Sequence, residues 1–378
     1  VVVLSVNSAW NVANFRAGLV RGLQNAGYHV VVLAPVDRHA ARVRALGCDV
    51  IDLPMNAKGI NPFADLLLLR RYWVLLRRLR PAAFLGFTIK PNIYGSLAAA
   101  TLGVPVVNNI AGLGTTFLRT GWLNQVAKTL YRLALSRSSC VLFQNEDDRT
   151  LFEQSDLVAR ARTRLLPGSG VDLARFAPSA VHSASRRPVF LMSARLLWDK
   201  GVREYIEAAR ILKRRGIECD VRLLGFLDVA NPSAVPREEV EAWQQEGVVT
   251  YLGETDDVRP MLVDADVAVL PSYREGTPRS LLEAAAMGKP LITTDAPGCR
   301  DVVTEGVNGF LVPVRNAAAL SEAMTRYIAL PPAARIEMGI ASRQLAEARY
   351  DERLVIKVYL DVLANIVSGE SNSPSSRR

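Results

Sequence analysis

Two glutamates carry the clearest chemistry in this chain. Glu275 and Glu283 lie eight residues apart in the stretch SYREGTPRSLLEAAAMG, residues 272–288. The apolar run Val267–Leu270 before it reads as a buried parallel strand, and Thr277 and Pro278 suit the N-cap and first position of a helix. That register puts Glu275 in the loop at the C-terminal end of the strand and Glu283 in the first turns of the helix. Carboxylates accept hydrogen bonds from ligand hydroxyls, and a helix N-terminus favours an anion. The stretch therefore predicts a ligand site of an α/β protein.

A second constellation supplies the opposite charge. In SARLLWDKG (193–201), Arg195 and Lys200 flank a loop that follows another strand-like run, Pro188–Ser193. Arginine grips two oxygens at once and lysine is a compact charge, a pairing suited to a diphosphate. One cationic and one acidic strand-end loop on the same sheet suit a nucleotide-sugar: cations for the diphosphate, carboxylates for the sugar and ribose hydroxyls. Asp264-Ala265-Asp266 has the D-x-D spacing that can hold a divalent ion. It precedes its strand, at the edge away from ligands, and reads as a cap and turn. The histidines, His29, His39 and His182, sit in separate segments, so no metal site is expected.

The elements that must position these groups alternate. In the first half, Val1–Val6, Val30–Ala34, Val50–Leu53, Ala82–Phe87, Val104–Val107 and Val141–Gln144 read as strands. Phe15–Ala26, His39–Leu46, Pro62–Leu79, Asn92–Leu102, Asn124–Ser136 and Glu146–Gln154 read as helices between them. The pattern resumes from residue 188 to 349, and both halves predict doubly wound parallel sheets. The Pro-, Gly- and Ser-rich segment 167–188 is the expected link, giving domains at 1–180 and 181–349. A last helix over 350–367 joins the first domain, and the polar tail 368–378 is expected to be disordered. No G-x-G-x-x-G follows the first strand. The loop there is NSAWNVANFR, whose Asn7, Ser8 and amides before Asn14 are placed to face an anion. After the strand Val104–Val107, the segment from Gly112 to Thr116 is a further ligand-facing loop.

The helix Pro62–Leu79 has its own signature. Arg70, Arg71, Arg77 and Arg78 share one sector with Leu67 and Val74, flanked by Leu66 and Trp73. Arginine interleaved with leucine and tryptophan suits an anionic membrane surface, and equally a basic solvated face.

Bulk numbers agree with a two-domain protein. The 378 residues are 49% apolar and 22% charged, and carry 46 Lys and Arg against 37 Asp and Glu, a net charge of +9. A basic excess suits phosphorylated substrates or an anionic membrane. The aromatic-basic signatures of RNA-binding modules and zinc-finger spacings are missing, so nucleic acid is not an expected partner. The four cysteines lie far apart, which points to a reducing compartment. The opening VVVLSVNSAW breaks at Asn7 and reads as a strand, not a signal peptide.

At Ser193–Gly201 and Tyr273–Glu283 the chain resembles glycosyltransferase family 4, of the GT-B fold, whose E-x7-E pattern is Glu275 and Glu283 here. The likeness extends to GVDLARF (170–176), YLGETDDV (251–258), ADVAVLPSYREG and GVNGFLV. A closer likeness is to bacterial enzymes of capsule, O-antigen and glycan assembly, which share NFR near the start, NPF (61–63), GLG (112–114) and NPS (231–233). The resemblance implies two Rossmann-like domains facing across a cleft and retaining transfer of a hexose or N-acetylhexosamine. The donor it implies is a UDP-sugar and the acceptor a polyprenyl-diphosphate-linked saccharide. No cofactor is needed, and the implied location is cytoplasmic, on the inner face of the plasma membrane. Arg195 and Lys200 would bind the donor diphosphate, Glu283 the ribose, and Glu275 the hexose, with Gly276 and Thr277 nearby. Gly253 and Glu254 would lie near the base. Asn7, Asn14 and Arg16, with Lys90 and Asn92 of FTIKPNIYG, would face donor or acceptor, Gly112 and Thr115 lying on the acceptor side. Two other activities share this plan: a UDP-sugar 2-epimerase, which needs acid/base carboxylates and histidines in the cleft, and a sugar-binding protein without catalysis.

Overall fold

The computed structural model describes residues 1–56, 61–112, 122–178, 187–227 and 231–368. The chain divides into two compact units, one of Val1–Ser169 with Glu352–Arg378, the other of Gly170–Asp351. The division falls before residue 180 because the start of the linker belongs to the second unit. Val171 N–H donates to the Tyr350 carbonyl at 2.8 Å, and Phe176 is buried in that unit's core.

The first unit is a seven-stranded sheet. Its strands are β1 (Val2–Ser5), β2 (Val30–Ala34), β3 (Asp49–Asp52), β4 (Ala83–Phe87), β5 (Val106–Ile110), β6 (Cys140–Phe143) and β7 (Thr163–Leu165). Their order is β3-β2-β1-β4-β5-β6-β7, with every pair parallel. Strands β1, β2, β4, β5 and β6 are buried along their whole length, and all but β5 read as near-continuous apolar runs for that reason. The order reverses between β1 and β4, so the unit has its topological switch point there.

The seventh strand, β7, is absent from the sequence reading, and three local features depart from that reading as well. A short helix, Ala9–Phe15, fills the first loop, capped by the Ser8 hydroxyl, and breaks at Arg16 before the helix Ala17–Asn25. A π-helical turn, Pro91–Gly95, opens the helix read as Asn92–Leu102. Strand β5 runs on through Asn108 and Asn109, polar residues that end a strand on pattern alone. They are buried because a polar network receives them: Asn108 Nδ2 donates to Asn92 Oδ1 at 3.0 Å and to Ser96 Oγ at 2.8 Å, and Asn109 Nδ2 to the Tyr359 hydroxyl at 2.7 Å. Tyr359 lies on the last helix, Glu352–Ser368, which packs on Ala17–Asn25 over Gly22, where a Cβ would meet Ile356 at 2.4 Å.

The second unit is a six-stranded parallel sheet of β8 (Val189–Ser193), β9 (Asp220–Leu224), β10 (Thr250–Tyr251), β11 (Val267–Leu270), β12 (Leu291–Thr294) and β13 (Gly309–Val312), ordered β10-β9-β8-β11-β12-β13. Its switch point lies between β8 and β11, whose Phe190 and Val267 are in register. The cationic loop follows β8 and the acidic loop follows β11, so the two loops singled out by charge leave the two central strands side by side. Among the described residues no helix is long and apolar enough to cross a membrane.

Candidate nucleotide-sugar site

The loop after β8 is fixed by its own hydrogen bonds. A single 3₁₀ turn, Trp198–Lys200, is stopped by Gly201 in the left-handed region at φ 77°. A Cβ at Gly201 would lie 2.0 Å from the Pro271 carbonyl oxygen, so only glycine lets this loop press against the end of β11. The Asp199 carbonyl then accepts from Tyr273 N–H at 3.0 Å and from Ser272 Oγ at 3.2 Å. These bonds lace the two loops together and bring Lys200 Nζ onto the Glu275 carboxylate, each side chain only 15% exposed.

Tyr273 ties the acidic loop down at a second point. Its hydroxyl donates to the Glu204 carboxylate, 2.8 Å from Oε1 and 3.0 Å from Oε2, and its ring lies 4.7 Å under the Arg315 guanidinium. Burial beside Glu204 pushes the phenol up to about 12, so it stays a donor at neutral pH. From the other side, Glu275 N–H donates to the Pro297 carbonyl at 3.0 Å. Gly298, at φ 77°, lets that segment approach so closely that a Cβ would sit 2.3 Å from the Gly276 carbonyl oxygen.

The helix after this loop spans Arg279–Ala286, with Pro278 at the N-cap rather than Thr277. Thr277 is buried just before it. Pro278 takes the cap because its backbone is extended at φ −72°, ψ 107°, outside the helical range, so the first helical residue is Arg279. Arg279 Nε meets Glu283 Oε1 at 3.0 Å, an i,i+4 pair on the helix face. Burial raises the Glu283 carboxyl above its ordinary range, and Arg279 and Arg175 oppose that rise.

Arg195 is exposed and makes no side-chain hydrogen bond or ion pair among the described residues. Gly253 is at φ 78° with open space where a Cβ would be, and its carbonyl accepts from Gly225 N–H at 2.9 Å. Glu254 beside it is exposed. Asp264 pairs with Arg222, and the Asp266 carboxylate accepts from Val189 N–H at 2.8 Å, so the D-x-D pair serves the strand bases.

The expected first-unit residues divide. Asn7 is half-buried at the end of β1. Asn14 Nδ2 donates back to the Trp10 carbonyl at 3.0 Å, and Arg16, 5% exposed, lies 4.5 Å over the Phe87 ring. Lys90 Nζ is 2.6 Å from the buried Asp65 carboxylate. Asn92 is a correction: it is 1% exposed, its amide nitrogen donates to the Asn109 carbonyl at 2.9 Å and its oxygen accepts from Asn108, so it braces the fold and presents nothing to an acceptor. Gly112 is left-handed at φ 108°, while Thr115 and His182 lie outside the described residues. On the helix Pro62–Leu79, Arg70, Arg71, Arg77 and Arg78 are exposed along with Phe63, Leu66, Leu67 and Val74, and Arg77 stacks 5.0 Å over half-buried Trp73. Tyr273 and Glu204 escaped the sequence reading. Their only signal is that Tyr273 sits between the strand and Glu275, while Glu204 lies one turn after Lys200.

Residues 12–169 match the family described as Glycosyl transferase 4-like domain, and residues 176–345 match Glycosyl transferases group 1. The Campylobacter jejuni N,N'-diacetylbacillosaminyl-diphospho-undecaprenol alpha-1,3-N-acetylgalactosaminyltransferase is 28% identical over 377 residues, covering 94% of this chain and 96% of that protein. The Escherichia coli UDP-Gal:alpha-D-GlcNAc-diphosphoundecaprenol alpha-1,3-galactosyltransferase is 24% identical over 285 residues, 72% of this chain and 73% of that protein. The crystal structure of Anabaena Alr3699/HepE in complex with UDP-glucose matches with a TM-score of 0.77 at 17% identity, over 96% of this chain and 99% of that one, a likeness of fold. These matches set aside the epimerase and non-catalytic readings. With each unit matched to its own glycosyl transferase family and the two-sheet GT-B fold shared over nearly its whole length, the chain belongs to the family 4 type of glycosyltransferases.

Proposed function

We propose that this glycosyltransferase moves a hexose or N-acetylhexosamine from a UDP-sugar to a saccharide linked to a polyprenyl diphosphate, with retention at the anomeric carbon. The observation that carries the reading is the meeting of Lys200 and Glu275 at the second unit's switch point, in the loop that leads into the helix bearing the Arg279–Glu283 pair. The names of the Campylobacter and Escherichia relatives both include a diphospho-undecaprenol acceptor, and the second includes a UDP-sugar donor.

An ammonium has three donors, and Glu275 engages Lys200 without exhausting them. The remainder, with the free guanidinium of Arg195, suits the donor diphosphate. In the reaction, the bond between the anomeric carbon and the diphosphate oxygen breaks, its electron pair leaving on UDP. The acceptor hydroxyl oxygen bonds to the same face of that carbon, and its proton passes to the departing phosphate oxygen. Lys200, Arg195 and the N-terminus of Arg279–Ala286 stabilise the negative charge that develops. Glu283 holds the ribose, Glu275 the hexose, and Gly253 leaves room near the base. The fixed cations do what a metal does in other transferases, so EDTA is expected to leave transfer unchanged.

Acceptors of this class are membrane-borne. The exposed arginines and apolar residues of Pro62–Leu79 suit peripheral attachment to an anionic cytoplasmic leaflet. Replacing Arg70, Arg71, Arg77 and Arg78 by Ser is expected to abolish co-sedimentation with vesicles containing phosphatidylglycerol, and unchanged sedimentation would return this helix to a solvated basic face. The deciding experiment is a panel of UDP-sugars with prenyl-diphosphate-linked saccharides, read by mass spectrometry and by product anomer. UDP release without a glycosylated lipid product, or an inverted linkage, would overturn the reading.

A further inference from the structure

The pair that Arg279 makes with Glu283 breaks two local rules. Arg279 is the first residue of the helix Arg279–Ala286, where the positive end of the helix dipole opposes a cation. An i,i+4 pair also gains less when the cation precedes the anion. Nor is this a solvated surface pair, since the two side chains are only 13% and 15% exposed. A cation so placed adds little to the helix, and local rules broken without a gain in stability are expected at functional positions. The contact is also one-sided. Arg279 Nε meets Glu283 Oε1 at 3.0 Å, while Oε2 accepts no hydrogen bond among the described residues. Two further charged groups act on this carboxylate: Arg175 favours its ionised form and Asp257 opposes it. Asp257 is itself forked by Arg259, with Nε at 2.8 Å and Nη2 at 2.7 Å. Among the described residues, Arg279 is the cation in direct contact with Glu283.

Burial disfavours a carboxylate, and a cation in contact with it offsets that cost. The same contact fixes one of the two oxygens and so sets where the other points. An ionised carboxylate accepts and never donates, so the group that completes Oε2 carries a hydroxyl or an N–H. We propose that Arg279 is a positioning residue of the donor site: it holds Oε1 of Glu283 so that Oε2 is turned to a ribose hydroxyl of the donor, which makes transfer selective for ribonucleotide-sugars over their deoxyribose counterparts. The inference rests on the ribose contact proposed for Glu283 above. Because Arg279 acts on the nucleotide through Glu283, its effect exists only where the ribose carries the hydroxyl that Oε2 takes.

The test uses the full chain, the UDP-sugar and acceptor that the wild type accepts, and the same UDP-sugar with either the 2′- or the 3′-hydroxyl of its ribose removed. For the wild type, the donor KM is expected to rise about 10- to 100-fold on at least one deoxy donor. Arg279→Gln keeps a polar side chain and removes the charge. It should raise the donor KM about tenfold on the ribose donor, with kcat within about twofold of the wild type. On the deoxy donor that the wild type discriminates against, the same variant should leave KM unchanged, because the two losses are one interaction. Arg279→Lys should recover most of the loss but not all, since lysine lacks the planar group. An equal rise on ribose and deoxy donors, or none on either, would overturn the positioning role while leaving glycosyl transfer intact. A wild type indifferent to both ribose hydroxyls would overturn the ribose contact and this inference with it, again without touching transfer. A wild type that transfers from no UDP-sugar would overturn the proposed function itself, and this inference too. Should Arg279→Gln fail to fold, Arg279→Lys decides: a smaller KM rise confined to the ribose donor supports the role, and an equal rise on both donors, or none, ends it.

Discussion

The two switch points of this chain are built in opposite ways. In the second unit the polar groups are charged and already matched: Lys200 lies on Glu275, Arg279 on Glu283, and Tyr273 on Glu204. In the first unit the corresponding edge carries Thr88 Oγ1 and Asn11 Oδ1, both buried and without a hydrogen-bond partner among the described residues, with the Arg16 guanidinium over the neighbouring Phe87 ring. Matched charges hold a geometry before a ligand arrives, so a highly charged diphosphate meets a pre-set site with little rearrangement. Unmatched buried groups instead carry a desolvation cost in the free protein. On the proposed function, disturbing the matched charges of the second unit should slow transfer most.

The largest effect should come from breaking the charged side. Lys200→Ala removes the ammonium that lies on Glu275 and is expected to cut kcat by about 10²- to 10³-fold, with the folded circular dichroism spectrum kept. A wild-type kcat would remove Lys200 from the site. Tyr273→Phe keeps the ring under Arg315 and deletes only the bond to Glu204. It should lower kcat by about tenfold with the acceptor KM unmoved. An acceptor-KM effect there would blur the contrast between the two switch points.

Stability measurements sharpen the contrast from the other side. Thr88, at φ 67° with a buried hydroxyl that has no partner among the described residues, is strained, so Thr88→Gly should show a gain of about 1 kcal/mol in urea denaturation. For Glu283, the folded carboxyl has its pKa raised by burial. The folded state therefore binds the proton more tightly than the unfolded chain. That contribution is full below the ordinary carboxylate value of 4.5 and is lost as pH rises through the elevated pKa. Glu283→Gln should flatten the fall of stability with rising pH in this window, the smallest of the four effects. A slope unchanged from the wild type would show that Arg279 offsets the burial fully.

Much of the second unit was legible because charge and period appear locally. Glu275 and Glu283 announced themselves by spacing, and Val267–Leu270 by its unbroken apolar run, since parallel strands covered on both faces have no polar alternation. The Arg279–Glu283 pair was also within reach, as an i,i+4 spacing. The first unit was less legible. Asn92 resembles a ligand residue by motif, yet its amide is consumed by Asn108 and Asn109, partners 16 and 17 residues away that no local pattern connects. Strand β5 was cut short for the same reason, because asparagine is a poor strand former until a network receives it.

By itself the sequence determined the two doubly wound halves, the charge of each strand-end loop and the family to which they belong, because these depend on periodicity and on residues close in the chain. Only the tertiary structure decided which loops are neighbours. The order of strands places β8 beside β11 and β1 beside β4, and that adjacency turns Lys200 and Glu275, 75 residues apart, into a pair. The left-handed turn at Thr88 and the orphaned oxygens are likewise invisible in composition. Backbone strain and an unmade hydrogen bond are properties of what surrounds a residue, and those surroundings exist only once distant segments have packed.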